Sequence, residues 1–281
     1  MFVLFNGKIY PQEQIPIAYN NRAFKYGDAI FETIRCNGHY PLHFDLHYKR
    51  LTKAMLSLKM DIASLPRKEE LELLIIKLLQ KKKSFAGSRV RLQVYRDGEG
   101  LYTPQNHQVN FLIESSDLST PKYQLNAKGL LTEVYSEIKK QYSPISFFKN
   151  ANSLHYLLAA CFKQANELDE CLLINTENKI IEANSSNLFW IKNNTIYTPS
   201  VISGCVDGVM RHVLISIIKK HQLAPMVETQ GATEQELLAA DEIFMSNAIQ
   251  GIQWLVGFQE KRYFCQLSKK IIELLNQYTF N

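Results

Sequence analysis

The chain has 281 residues, 46% of them hydrophobic and 21% charged, which is the balance of a globular protein long enough for about two domains. The formal net charge of +5 is a mild excess that suits anionic small molecules and is too weak to argue for nucleic acid. The five cysteines are scattered, odd in number and without a C-x-x-C pair, so neither a disulfide framework nor a metal site is expected, and a reducing cytoplasm fits best.

The first ten residues read as a strand, an Asn6-Gly7 turn and a second strand, with no signal peptide. No window is long and apolar enough to span a bilayer. Ala29 to Arg35 reads as a strand leading into an Asn37-Gly38 hairpin turn. Asp45 is a good N-cap for a helix whose apolar face is Leu51, Ala54, Met55 and Leu58. A second helix carries Leu71, Leu74, Ile75, Leu78 and Leu79 and ends in Lys81, Lys82 and Lys83, cations that offset the helix dipole. Arg89 to Arg96 alternates as a strand before the turn Asp97 to Gly100, and a further strand runs from Val109 to Ile113.

The polar, proline-ended segment Glu114 to Pro121 is the best linker candidate, which divides the chain into 1–117, a linker at 118–122, and 123–281. Beyond it, strands are expected around Leu125 and Val134. A helix follows with Leu154, Leu157, Leu158, Cys161 and Ala165 on one face. Strands are then expected at Cys171 to Ile174, Ile180 to Glu182, Asn187 to Ile191 and Ile196 to Pro199. Gly208 opens a helix carrying Val209, Val213 and Ile217. A strand from Glu242 to Met245, a turn containing Gly251 and a helix from Leu267 to Leu275 close the order.

No P-loop, zinc-protease or nucleophile-elbow pattern is present, and Gly98-x-Gly100 is a hairpin turn rather than a dinucleotide fingerprint. Three features stand out. Lys149 follows Phe147 and Phe148, and a partly desolvated lysine can form a Schiff base. Glu182 ends a strand beside Asn184-Ser185-Ser186-Asn187. The backbone N–H groups of Val209 and Met210, after Gly208, open a helix and can hold a phosphate.

Five segments in order carry a resemblance over nearly the whole chain. They are Asn21 to Arg35 (with Tyr26-Gly27-Asp28 and Phe31-Glu32), His47-Tyr48-Lys49-Arg50-Leu51, Lys149-Asn150-Ala151-Asn152, Glu182 to Phe189, and Gly208-Val209-Met210-Arg211. Together they resemble the class IV aminotransferases, the fold type IV pyridoxal-phosphate enzymes. The sequence departs from that pattern at Met210, where the family often has threonine, at Ser153, where branched-chain enzymes carry tyrosine, and at Ala183, which replaces glycine.

The resemblance implies a two-domain α+β and α/β fold, with a smaller N-terminal domain and a larger barrel-like C-terminal one. It also implies the cofactor pyridoxal 5'-phosphate. Lys149 would be the Schiff-base lysine and general acid–base, and Glu182 the partner of the pyridine nitrogen. Arg50, Ser185, Ser186, Val209, Met210, Ser246 and Asn247 would hold the phosphate side. Arg96, before a Gly-rich turn, is a candidate for a substrate carboxylate, with Tyr26 and Phe31 beside the substrate. Family members are usually homodimers.

Three activities follow from the resemblance. One is transfer of an amino group between a small amino acid and a 2-oxo acid, a D-amino-acid enzyme included. The second is aminodeoxychorismate lyase, which releases pyruvate and 4-aminobenzoate. The third is a non-catalytic binding protein that kept the fold, against which Lys149 and Glu182 both argue. Met1 to Gly7 and Ser246-Asn247-Ala248 look like the lyase branch, whereas Arg96 to Tyr102 lacks the second arginine of a common lyase pattern.

Overall fold

The computed structural model describes residues 1–84 and 86–280. The chain folds into two compact units, Met1–Pro121 with Phe148–Asn152, and Lys122–Phe147 with Ser153 onward.

The first unit is built on β1 (Phe2–Phe5), β2 (Lys8–Pro11), α1 (Arg22–Tyr26), β3 (Ala29–Asn37), β4 (Tyr40–Pro41), α2 (Phe44–Ser57), α3 (Lys68–Lys82), β5 (Gly87–Arg96) and β6 (Val109–Asp117). Its six strands form an antiparallel sheet in the order β2-β1-β6-β5-β3-β4. Asn6 and Gly7 both take positive φ, as a two-residue hairpin requires. Along β3, Ile30, Glu32, Ile34 and Cys36 are buried, the period-two pattern of one sheet face, and α2 packs against this strand. Leu51, Ala54 and Met55 of α2 and Leu71, Ile75, Leu78 and Leu79 of α3 supply the helical side of the core.

Two expectations shift here. The N-cap of α2 is His43, in a left-handed conformation, and Asp45 falls inside the first turn, where its charge still favours the helix dipole. β6 continues through Asp117, because Glu114 to Asp117 pair with Ser88 to Arg91, so half of the polar segment read as a linker is strand. At the lysine-rich end of α3, Lys82 Nζ donates to Ser115 O at 2.6 Å.

The second unit contains β7 (Leu130–Lys140), α4 (Leu154–Ala165), β8 (Glu170–Asn175), β9 (Ile180–Ala183), β10 (Asn187–Lys192), β11 (Thr195–Pro199), α5 (Val209–Lys220), β12 (Met226–Thr229), α6 (Glu234–Leu238), β13 (Glu242–Asn247), β14 (Gly251–Phe258), β15 (Lys261–Arg262) and α7 (Gln266–Phe280). Six strands close into a ring, β10-β13-β14-β7-β8-β9, because β9 returns to β10 at the rung Glu182–Asn187. β11 and β12 extend the sheet from β10, and β15 pairs with β14. The β7–β14, β7–β8 and β11–β12 pairs are parallel, the rest antiparallel. Leu172, Ile174, Leu188, Trp190, Ile243, Met245, Leu255 and Phe258 pack into one buried cluster, which closing the sheet removes from water.

The sequence pattern does not predict β14, and the chain around Leu125 is irregular rather than a strand. The face of α4 expected to be core is the outward one: Leu154, Leu157 and Leu158 are exposed. The helix instead lays Tyr156, Ala159 and Phe162 against Tyr135, Cys171 and Leu173.

Candidate active site

Each unit carries a cluster of buried polar side chains. In the first unit, the inward face of β3 presents Glu32 to α2, where His47 and Arg50 are three residues apart and share a helix face. Arg50 holds Glu32 bidentately, Nε to Oε1 at 2.8 Å and Nη2 to Oε2 at 2.5 Å, and His47 Nδ1 lies 2.6 Å from Oε2. Burial pushes the Glu32 carboxyl up, but the Arg50 guanidinium and the His47 hydrogen bond more than reverse this and hold it at about 2. Burial lowers His47, assisted by Arg50 and Lys149 and opposed by Glu32. A neutral His47 facing a carboxylate that only accepts must carry its proton on Nδ1.

Lys149 belongs to the same unit. Its carbonyl accepts from Phe31 N at 2.9 Å, and Ala151 N donates to Ala29 O at 2.9 Å, so residues 149–151 lie as a short antiparallel bridge along the start of β3. The Lys149 Nζ stands 5.7 Å from the Phe31 ring centroid, and the Arg91 guanidinium stands 3.8 Å from the same ring. Tyr26 donates to Gly100 O at 3.2 Å and stacks at a tilt on Tyr102, with Arg22 over its ring.

Arg96 departs from its expected place. It is buried, its Nε donates to Asp28 Oδ2 at 2.9 Å, and its terminal nitrogens donate to the carbonyls of Lys59 and Leu58 and meet His107 Nδ1. Arg22 Nε reaches the same Asp28 oxygen at 2.8 Å. A substrate carboxylate would have to displace these partners, so the geometry is that of a brace. The sequence offered no sign of it, because the acceptors are backbone carbonyls and a carboxylate 68 residues away.

In the second unit, Glu182 of β9 is buried and both its carboxylate oxygens accept hydrogen bonds. Its Oε1 accepts from Lys140 Nζ and from the Tyr156 hydroxyl at 2.9 Å, and its Oε2 accepts from Val206 N at 2.8 Å. Neither Lys140 nor Tyr156 stands out in the sequence. Burial drives the Tyr156 hydroxyl well above its ordinary range, with the Glu182 charge adding to it, and pushes the Cys205 thiol up to about 12.

Around the β9–β10 hairpin, Ser185 donates to Glu170 Oε2 at 3.0 Å, and Ser186 Oγ accepts from Asn247 Nδ2 at 2.9 Å. Asn247 caps its own turn by accepting from the backbone of Ile249 and Gln250. Ser246, the rung partner of Asn187, is buried, and its Oγ has no hydrogen-bond partner among the described residues. Val209 and Met210 begin the twelve-residue α5, whose N-cap, Gly208, supplies no side-chain cap, and α5 packs on β13. Gly208 is needed there, because a Cβ would stand 1.8 Å from Asn187 Oδ1.

Comparison with known proteins agrees with this architecture. The family described as Amino-transferase class IV matches residues 29–255. An aminodeoxychorismate lyase of Vibrio harveyi is 26% identical over 250 residues, covering 88% of each chain. A D-alanine aminotransferase of Bacillus licheniformis is 27% identical over 255 residues, 88% of this chain and 84% of that one. Among solved structures, a branched-chain amino acid aminotransferase of Thermobaculum terrenum in its PLP form superposes with a TM-score of 0.86 at 17% identity, over 99% of this chain and 93% of that one. The chain belongs to the class IV aminotransferase family. Its fold is the two-domain fold type IV, a mixed α+β unit followed by one built on a closed, barrel-like sheet.

The donor set fits a phosphorylated pyridine cofactor. In the second unit the buried Ser246 hydroxyl lacks a partner among the described residues, the N-terminus of α5 has no side-chain cap, and the Glu182 carboxylate is buried.

Proposed function

We propose that this chain is a pyridoxal-phosphate-dependent enzyme that transfers an amino group between a small amino acid and a 2-oxo acid. The observation that carries the reading is the anchoring of Lys149, whose peptide unit is bonded to β3 while its side chain extends over Phe31 beside a buried ionic cluster. Bound pyridoxal phosphate supplies an electron sink for the pair of electrons left when a Cα–H bond is broken.

In this reading Lys149 would hold the cofactor and would move the proton at the substrate Cα as general base and acid. Glu182 would accept a hydrogen bond from the ring nitrogen. The N–H groups of Val209 and Met210 and the Ser246 hydroxyl would hold the phosphate, with Arg50, Ser185, Ser186 and Asn247 as further contacts. Tyr26 and Phe31 border the substrate. Arg96 braces the first unit through Asp28 instead of contacting substrate.

Aminodeoxychorismate lyase is the second reading, favoured by the relatedness to the Vibrio harveyi enzyme, and it uses the same residues. The assembly proposed is a homodimer, supported by the exposed apolar face Leu154, Leu157 and Leu158 of α4. A cytoplasmic setting is supported by five free cysteines, and small-molecule substrates, rather than nucleic acid or membrane, by the modest net charge. Among the described residues no helix is long and apolar enough to cross a membrane.

A visible spectrum of the purified protein tests the proposal. Conversion of the bound cofactor to its amine form by an L- or D-amino acid is the expected result. A band that persists while aminodeoxychorismate yields pyruvate would replace the transaminase with the lyase, and a protein that binds no cofactor would overturn both.

A further inference from the structure

Lys140 ends β7, and its side chain is buried, an expensive position for an ammonium unless it is paired. A break in strand register brings it there. Tyr135 of β7 pairs with Leu173 of β8, and the next rung joins Lys140 to Asn175, so β7 uses five steps where β8 uses two. Such a bulge re-aims a side chain. The ammonium then meets Glu182 Oε1 and the Tyr156 hydroxyl at 2.7 Å, while Tyr156 itself donates to Glu182 Oε1.

Of the other titratable groups around this carboxylate, His155, Tyr156 and Cys205 carry no charge at neutral pH. Burial lowers His155, raises Tyr156 far above its ordinary range and takes Cys205 to about 12. Arg211, which acts on Cys205, is tied to Glu228 and to the Pro199 carbonyl.

We propose that Lys140 is a positioning residue that fixes Glu182 as a carboxylate whose charge is already partly compensated, so that Glu182 recognises a protonated ring nitrogen without holding its proton too tightly. The inference rests on the reading of Glu182 as the ring-nitrogen partner. Without Lys140, a buried carboxylate lacking a counter-charge takes up a proton instead, and it then has no charge with which to select a pyridinium. Tyr156 fixes the geometry by bonding to both members of the pair.

The test compares pyridoxal phosphate with its 1-deaza analogue, in which the ring nitrogen is replaced by C–H, binding to the full-length chain freed of cofactor. A hydrogen bond to a charged group is worth about 1.5–3 kcal/mol, so wild type is expected to prefer pyridoxal phosphate by roughly 10- to 100-fold. Lys140→Met should reduce that preference about tenfold, and Lys140→Arg should retain it. Lys140→Gln keeps hydrogen-bonding capacity without the charge and should behave like Lys140→Met, which guards against a methionine variant that fails to fold.

Equal weakening of both ligands in the Met and Gln variants, with the preference intact, would show that Lys140 only supports packing and would overturn the inference. Wild-type protein that binds both compounds equally would instead remove Glu182 from its assigned role. The two failures are therefore separable.

Discussion

Glu182 and Asn187 hold opposite ends of the same residue: Glu182 Oε2 accepts from Val206 N at 2.8 Å, and Asn187 Nδ2 donates to Val206 O at 2.7 Å. They are also rung partners, and their rung closes the six-stranded ring. The backbone of this pair closes the ring, and its two side chains fix the chain on its approach to α5. Gly208, two residues beyond Val206, sits where a Cβ would stand 1.8 Å from the Asn187 amide oxygen. Gly208→Ala should force the Asn187 amide away from Val206 and lower stability by about 1–3 kcal/mol, read as a fall in Tm. Combined with Asn187→Ala, the loss should be less than the sum of the two single changes, because the clash disappears with the amide. Strict additivity would refute this coupling.

Lys149→Ala should leave the protein folded, with a Tm within a few degrees of wild type. It should abolish turnover and the covalent attachment of cofactor detected by borohydride reduction and intact mass. The fold tolerates the change because β3 holds residue 149 through its backbone carbonyl, which every amino acid supplies. A Lys149→Ala protein with wild-type turnover would remove the lysine from the chemistry.

Acid should unfold the first unit in two stages. His43 and His47 are held below their ordinary 6.5, His43 at about 4, chiefly by burial. The unfolded chain binds protons there before the folded chain does, so the stability they contribute is complete above pH 6.5 and declines as pH falls. Glu32 is held at about 2 against an ordinary 4.5, which adds a second decline from pH 4.5 downward. Denaturant midpoints measured from pH 8 to pH 3 should be level, then fall, then fall more steeply. Glu32→Gln should remove the steeper arm, while costing about 3–5 kcal/mol at neutral pH because Arg50 loses its buried partner. A midpoint that stays level to pH 4 would contradict the assignment.

Asp28 bears two arginines on one carboxylate oxygen. Asp28→Asn should destabilise by about 3–5 kcal/mol, since Arg22 and Arg96 are both left buried without their counter-charge. Arg96→Lys should lower Tm while changing KM for the 2-oxo acid less than threefold. A tenfold or larger rise in KM with an unchanged Tm would return Arg96 to the substrate.

Much of the local structure was legible because it is written in short-range pattern. The Asn6-Gly7 hairpin, the alternation of β3 and the apolar stripes of α2 and α3 each follow from residues within a few positions of one another. Glu32 could have been found the same way: it falls on the inward face of β3 between Ile30 and Ile34, and a carboxylate there requires a cation. What stayed hidden depends on partners far apart in the chain. β14 begins at a glycine that reads as a turn, and only its pairing with β13 and β7 makes it a strand. On α4 the apolar stripe is real but faces outward, because periodicity reports that a face exists and not what covers it. Lys140 gives no signal at all: Lys139-Lys140 looks like a solvated strand end until the register break with β8 turns the second lysine inward.

Residues 148–152 cluster with the first unit although the chain on either side of them belongs to the second. A ribosome that has finished residue 121 has therefore made every strand of the first sheet but not the segment that completes its β3 edge at Ala29 and Phe31. That edge must wait until a further thirty or so residues have emerged, and the waiting strand is the kind of unpaired template that invites wrong partners. A genetic cut at 121 would yield not an independent domain but a sheet with an open flank and without Lys149. Lys149 is thus bound to the order of folding: it enters its place only when synthesis has passed well beyond the sheet that receives it.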